Sequence, residues 1–469
     1  MIGKQLLAVL LVGLVGSSLL SCADRRTPVQ KLVPEVRPTN LKILLVGIDG
    51  ATLNIISPLI DQGRLPQTRR LIENGAHGIL RSDPPISSPA IWTSIVTGRN
   101  REAHGIRGFL QGTGTQNMTK KLVTSNDRKV TALWNWLGPF GKTVGFSGWW
   151  ASWPAEPTNG WIVSDRITRS RWSEWYDGAK DQKLTFPGDL IVDLWPLVVD
   201  PSKPPMDEIE SLVRLNDSEK NEFLAARKPV LFHGLSVFKF AYCAQRSYEN
   251  FALSLLDQGQ PDLTGVFLIA TDPVCHTFWH FYEPHAYSHV EVDQASRLGK
   301  LIPNLYEHND RYLSELLAKV DSNTVVIIVS DHGFQATGKL PSEVDIDRFD
   351  ELQSEAMRKG TVAVGQSGDH DLDGVIIATG PFIRRGVTIA GAHVFDITPT
   401  ILALLGLPLP DDLNGRVLTE MIEPSFFEEH PIRRISSYED YFDREQLAIS
   451  DEVPEDELLQ RLRALGYIK

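Results

Sequence analysis

Four short segments of this chain carry residue types that bind metal ions: Gly47-Ile48-Asp49-Gly50, Thr271-Asp272-Pro273-Val274-Cys275-His276, Ser330-Asp331-His332-Gly333 and Gly368-Asp369-His370-Asp371. Carboxylate combined with imidazole is a ligand set for zinc and other transition metals, whereas calcium takes oxygen ligands alone. Ions held this way polarise a bound group, neutralise charge that develops during a reaction, and make a hydroxyl or a water nucleophilic at neutral pH. A fifth segment, Pro84-Pro85-Ile86-Ser87-Ser88-Pro89-Ala90-Ile91-Trp92-Thr93-Ser94, offers such a hydroxyl. Pro89 marks the first position of a helix and makes Ser88 its N-cap, next to a helix N-terminus that suits a negatively charged group. Ser87 is the rival. A second histidine cluster, His276, His280, His285 and His289, has i, i+4 spacing at its start but lacks the Glu that a zincin helix places after its first His. The expectation is that His280 contacts a substrate while His285 and His289 line the site or lie on the surface.

These residues need a scaffold that brings distant segments together. Lys42 to Ile48, Gly265 to Ala270, Thr324 to Ser330 and Gly374 to Ala378 are apolar, β-branched runs, as expected of strands of a parallel sheet covered on both faces. Leu305, Tyr312, Leu316 and Val320 share one face of a helix feeding the third run, and Thr398-Pro399 starts a short helix that Gly406 stops. The alternation is α/β. In such sheets the ligand site lies beyond the carboxyl ends of the strands, which is where Asp49, Asp272, Asp331 and His332 fall.

With 469 residues, 42% of them hydrophobic, and a net charge of -12, the chain has ample core-forming material and no basic surface for polymeric nucleic acid. Residues 1–21 read as a signal peptide: Lys4, then an apolar run too short to span a bilayer, then Leu19-Leu20-Ser21-Cys22, which resembles a lipobox with Cys22 as the lipidated residue. That reading implies a bacterial envelope protein anchored on the periplasmic or extracellular face. The remaining divisions are a tether at 22–40, a core at 41–147, an insertion or cap at 148–258, a second core part at 259–425, and an extension at 426–469 ending in a helix. The cap carries Trp149, Trp150, Trp153, Trp161, Trp172, Trp175 and Trp195, a composition that more often marks packing than a ligand platform. Cys243 and Cys275 either pair or remain buried thiols.

Taken together, KILLVGIDG, SPAIWTSIVTGRNREAHGI, DPVCH, VVIIVSDHGF, SGDHD and DITPTILALLGLPLP resemble the type I phosphodiesterase/nucleotide pyrophosphatase branch of the alkaline phosphatase superfamily. The resemblance implies an alkaline-phosphatase-like, mostly parallel sheet with helices on both faces. It also implies two divalent ions, zinc or alternatively manganese, acting on a small phosphorylated substrate. By position, Asp49, Ser88, Asp331 and His332 would hold one ion, with Ser88 also the nucleophile, and Asp272, His276 and His370 the other. A covalent phosphoryl-serine would form on Ser88. The family's phosphate-binding Asn is missing after His104-Gly105-Ile106, where Arg107 is the candidate anion donor. Phosphodiester hydrolysis ranks first, phosphomonoester hydrolysis or transfer of a phospho-headgroup second. A non-catalytic, lipid-anchored binding protein is the reading from another class. Sulfate ester hydrolysis ranks well behind, because the Arg that would follow Ser88-Pro89 is absent.

Overall fold

A computed structural model describes residues 38–113, 119–170, 181–227, 233–340, 366–442 and the single positions 36, 447 and 449. The expected signal peptide, Cys22, most of the tether, Trp172, Trp175 and the terminal helix lie outside the described residues.

Among the described residues nine strands form the central sheet: β1 Lys42–Ile48, β2 Gly75–Arg81, β3 Val144–Ser147, β4 Gly160–Val163, β5 Thr185–Phe186, β6 Leu263–Leu268, β7 Thr324–Val329, and, after a ribbon made of β8 Gly333–Ala336 and β9 Gly368–Asp371, β10 Asp373–Thr379 and β11 Val387–His393. Their order is β11-β2-β10-β7-β1-β6-β3-β4-β5. Strand β1 sits at the centre, parallel to β6 on one side and β7 on the other. The sheet is mostly parallel, but β10 runs antiparallel to both β7 and β2.

That direction corrects the expectation for the Gly374 to Ala378 run. An apolar run carries no direction in its side-chain pattern, so parallel and antiparallel neighbours look alike in sequence. The reversal has a use. His370 precedes its strand, yet the antiparallel course brings it to the same edge as residues that follow β1, β6 and β7.

Alternation along β1 and β7 explains the double burial. Ile43, Leu45, Val325, Ile327 and Val329 enter one apolar layer, while Leu44, Val46, Ile48, Val326 and Ile328 enter the other. Each such side chain contributes about 1.5–3 kcal/mol by leaving water. Helices α1 Leu53–Asp61, α2 Pro66–Glu73, α4 Gly234–Leu256, α5 Thr271–Tyr282 and α6 Leu301–Leu317 cover the second layer, and α3 Ser88–Thr97 and α7 Ile397–Leu404 the first.

Within 148–258, β4 and β5 extend the sheet at its edge and α4 packs on β6. Trp149, Trp150 and Trp153 are buried, and Trp149 meets Trp92, Phe146 and Phe267 at ring distances of 5.1, 5.6 and 6.0 Å. These tryptophans are core. Cys243 and Cys275 are both buried and free, and burial pushes the Cys243 thiol up to about 12. Among the described residues no helix is long and apolar enough to cross a membrane.

Candidate active site

The carboxyl edge of the sheet gathers the chemistry from four of its strands and from the two-stranded ribbon. Asp49 follows β1 directly, and Gly50 turns the chain away at φ +70°, where a Cβ would lie 2.4 Å from the Phe334 ring. Asp331 and His332 link β7 to β8. Phe334 pairs with His370 across the β8–β9 ribbon, so the two histidine-bearing segments are held in one register. After β6, Ala270 caps α5, whose first turns carry Asp272 and His276 one above the other. Strand β2, parallel to β7 through β10, ends at Arg81 on this same edge and feeds the segment that reaches Ser88.

Side chains converge accordingly. Asp272 Oδ1 lies 3.2 Å from His370 Nε2, 3.3 Å from His276 Nε2 and 3.5 Å from His332 Nε2. His332 Nε2 is also 3.5 Å from Asp331 Oδ2 and 3.8 Å from Asp49 Oδ1. Two overlapping groups result, Asp272 with His332 and His370, and Asp49 with Asp331 and His332, their ligand atoms within 4.8 Å of one another in each. His276 joins the first, its Nε2 2.9 Å from that of His370.

These atoms fit a pair of divalent ions better than they fit one another. Asp331 Oδ2 and His332 Nε2 are buried without a hydrogen-bond partner, an arrangement that is costly unless something satisfies it. The outer nitrogens are committed: His276 Nδ1 donates to the Gly368 carbonyl at 2.9 Å and His332 Nδ1 to that of Gly333 at 2.9 Å. Each Nε2 is thereby left as the lone-pair donor, the tautomer a metal ligand requires. Three carboxylates with three imidazoles are a zinc or manganese set rather than a calcium one.

Without metal the protonation states are set otherwise: burial would lower His276, but Asp272 beside it raises it. Burial, followed by the charge of Asp272, raises Asp49 above the ordinary carboxylate range, and burial together with Asp49 raises Asp331 well above it. Burial would raise Asp272 too, but His276 and His370 beside it hold it well below. Burial and His370 keep His332 neutral.

Ser88 is buried at the start of α3. The helix begins one residue earlier than expected: Ser87 occupies the cap position, without a side-chain cap bond, and Ser88 is the first helical residue. One turn on, the Trp92 indole donates to Asp49 Oδ1 at 3.2 Å. Trp92 reaches this place because residue 47 is glycine; a Cβ there would lie 2.7 Å from its ring. His104 braces α3 from outside. Its Nδ1 accepts from the Ile106 amide at 3.1 Å and its Nε2 donates to Ser94 Oγ at 3.0 Å, while burial lowers its pKa to about 3.

The expected substrate contacts differ in place. Arg107 is exposed. His280 is buried, bonded through Nδ1 to Ser367 Oγ at 2.9 Å, and lowered to about 4 by burial, so it supports the base of the ribbon instead of facing a ligand. The i+4 step from His276 carries it down α5, away from the sheet edge. His289 is exposed beside Glu291, and His285 is exposed. Trp92, which touches a proposed ligand, carries no local sequence signal beyond aromatic character.

The family model for type I phosphodiesterase / nucleotide pyrophosphatase matches residues 43–376, a span holding every residue from Asp49 to His370. The chain belongs to this family. As a type I phosphodiesterase-family chain it is a phosphoric ester hydrolase. Among solved structures it is similar to the alkaline phosphatase PafA, at 15% identity over 82% of this chain and 100% of that one, TM-score 0.50. It is also similar to human ectonucleotide pyrophosphatase / phosphodiesterase 5, at 14% identity over 78% and 95%, TM-score 0.43. For phosphonoacetate hydrolase from Sinorhizobium meliloti 1021 the values are 15%, 78% and 96%, and 0.44. At this identity the likeness to PafA speaks for the fold, which is alkaline-phosphatase-like. A search by sequence among curated proteins gave no match.

Proposed function

We propose that this phosphodiesterase-family chain hydrolyses small phosphodiesters through a phosphoryl-serine on Ser88. One observation carries the reading: two orphaned ligand atoms, Asp331 Oδ2 and His332 Nε2, face Asp49, which Trp92 ties to the helix that begins at Ser88. Asp49, Ser88, Asp331 and His332 would hold one zinc or manganese ion, and Asp272, His276 and His370 the other. Bound, the ions would neutralise charge on the phosphoryl oxygens and make the serine hydroxyl and water acidic enough to react.

Ser88 gives up its hydroxyl proton and its oxygen bonds to phosphorus as the bond to the leaving ester oxygen breaks, the released alcohol taking a proton. Water then adds to the phosphoryl-serine, the serine oxygen departs and regains a proton, and a phosphomonoester is released.

Purified protein with Zn²⁺ or Mn²⁺ is expected to cleave bis-p-nitrophenyl phosphate faster than p-nitrophenyl phosphate. The reverse order would replace the diesterase with a phosphomonoesterase. Product esters built on an added alcohol, formed faster than hydrolysis, would make it a headgroup transferase. No turnover across an ester panel, with two ions bound, would leave a binding protein. Attachment through Cys22 is a separate proposal resting on the Leu19-Leu20-Ser21-Cys22 segment; loss of membrane fractionation in Cys22→Ala would support it, and unchanged fractionation would remove it.

A further inference from the structure

We propose that Gln245 and Asn309 are positioning residues that set the first turn of α5 and thereby aim Asp272 at the histidines. The proposal rests on the reading of Asp272 as a metal ligand.

Helix α5 starts without a cap of its own. Its N-cap is Ala270, among the poorest residues for that position, and no side-chain cap bond is made from it. The contacts come from neighbouring helices. Gln245 Oε1 on α4 accepts from the Ala270 amide at 2.9 Å, and Asn309 Nδ2 on α6 donates to Thr271 Oγ1 at 3.2 Å. Gln245 Nε2 donates to Asn309 Oδ1 at 2.9 Å, so the two amides close a ring around residues 270 and 271. Gln245, Asn309 and Thr271 are all buried.

The ring is held from behind. Gln245 Nε2 also donates to Glu249 Oε1 at 2.9 Å, and buried Glu249 accepts from His308 Nε2 at 2.9 Å and Arg246 Nη1 at 2.5 Å. A buried polar network whose members are mutually satisfied is stiff, because each bond would have to be given up without water to replace it.

Asp272 is the next residue. Its Oδ1 lies 3.3, 3.5 and 3.2 Å from the Nε2 atoms of His276, His332 and His370, so a small rotation of the first turn would move it off all of them together. His276, one turn further, has its own anchor in the Gly368 carbonyl. Asp272 has no comparable anchor on its side chain and takes its aim from the backbone that Gln245 and Asn309 hold. Removal of a partner that orients a ligand costs roughly 10- to 100-fold in metal affinity.

The test is a competitive chelator titration of Zn²⁺ into full-length wild type, Gln245→Leu, Asn309→Leu and the gentler Thr271→Val, which keeps side-chain volume. Tyr242→Phe serves as control; it removes a bond to Glu208 at the outer end of the same network. The expected result is that one of two ions binds roughly 10- to 100-fold more weakly in the Leu variants, the other is unchanged, and both are unchanged in Tyr242→Phe. Amide hydrogen exchange over residues 269–278 of metal-free protein is expected to quicken in Thr271→Val, a readout that does not depend on any ion. Equal weakening of both ions, wild-type affinity for both, or unchanged exchange in Thr271→Val would overturn the positioning role. Failure of wild type to bind any ion would instead overturn the metal reading, which the exchange measurement keeps separate.

Discussion

Trp92 Nε1 and Asp49 Oδ1, 3.2 Å apart, join the helix that begins at Ser88 to the carboxylate that ends β1. Ser88 and Trp92 stand one turn apart, so the indole couples the place of the hydroxyl to that of a ligand. Trp92→Phe keeps an aromatic ring beside Gly47 and removes the donor. A hydrogen bond to a charged group contributes about 1.5–3 kcal/mol, so the thermal midpoint is expected to fall by several degrees and kcat/KM roughly 10- to 100-fold. Wild-type kcat/KM in this variant would show that the bond is only structural.

Ser88→Ala is expected to abolish turnover while metal content, measured by elemental analysis, stays that of wild type. Ser87→Ala is expected to remain active, since its side chain makes no cap bond and precedes the helix. Activity in Ser88→Ala and loss in Ser87→Ala would exchange the two assignments.

Asp49 and Asp331 are both raised by burial in the metal-free protein. A carboxyl whose folded pKa is raised stabilises the fold fully below its unfolded value and loses that contribution as pH rises through the folded value. The metal-free protein should therefore lose stability on this account from the ordinary carboxylate range upward. Divalent ions should reverse the trend, because they bind the deprotonated form and expel protons. Titration calorimetry in two buffers of different ionisation enthalpy should show proton release on Zn²⁺ binding that diminishes at higher pH. Binding without proton release would contradict the arrangement.

Glu249 behaves oppositely. Burial alone would raise it, but His308 and Arg246 hold it down to about 2. Its contribution is present above the unfolded carboxylate value and is lost as pH falls toward 2. Glu249→Gln should cost on the order of 2–3 kcal/mol at pH 7, and urea melts of the two proteins should converge as pH is lowered from 5 to 3. A constant difference across that range would place the cost in packing instead of charge.

Much of the scaffold was legible because β1, β6 and β7 are apolar on both faces, and only a covered parallel sheet uses such runs together. The gathering of Asp49 and Asp331 at one sheet edge was legible for a related reason, as both stand immediately after those runs. The direction of β10 was not, since hydrophobic alternation is blind to strand polarity. Strand β2 was hidden by Gly75, His77 and Gly78, and with it the reason that Ser88 arrives at the same edge. His280 was expected to contact a substrate; its bond to Ser367 depends on how the ribbon base packs, which no local pattern encodes. Gln245 and Asn309 sit in otherwise ordinary amphipathic helices, and their purpose appears only when α4, α5 and α6 are brought together.

The β8–β9 ribbon closes at its base through the Thr337 amide and Ser367 carbonyl, 2.9 Å apart, with His332 and His370 both on the site side of that closure. Chain added or removed between Thr337 and Ser367 leaves that closure in place, since doubling a loop costs only about 0.6 kcal/mol. The closure and the ribbon register, not the span between Thr337 and Ser367, thus hold the two imidazoles at their mutual distance.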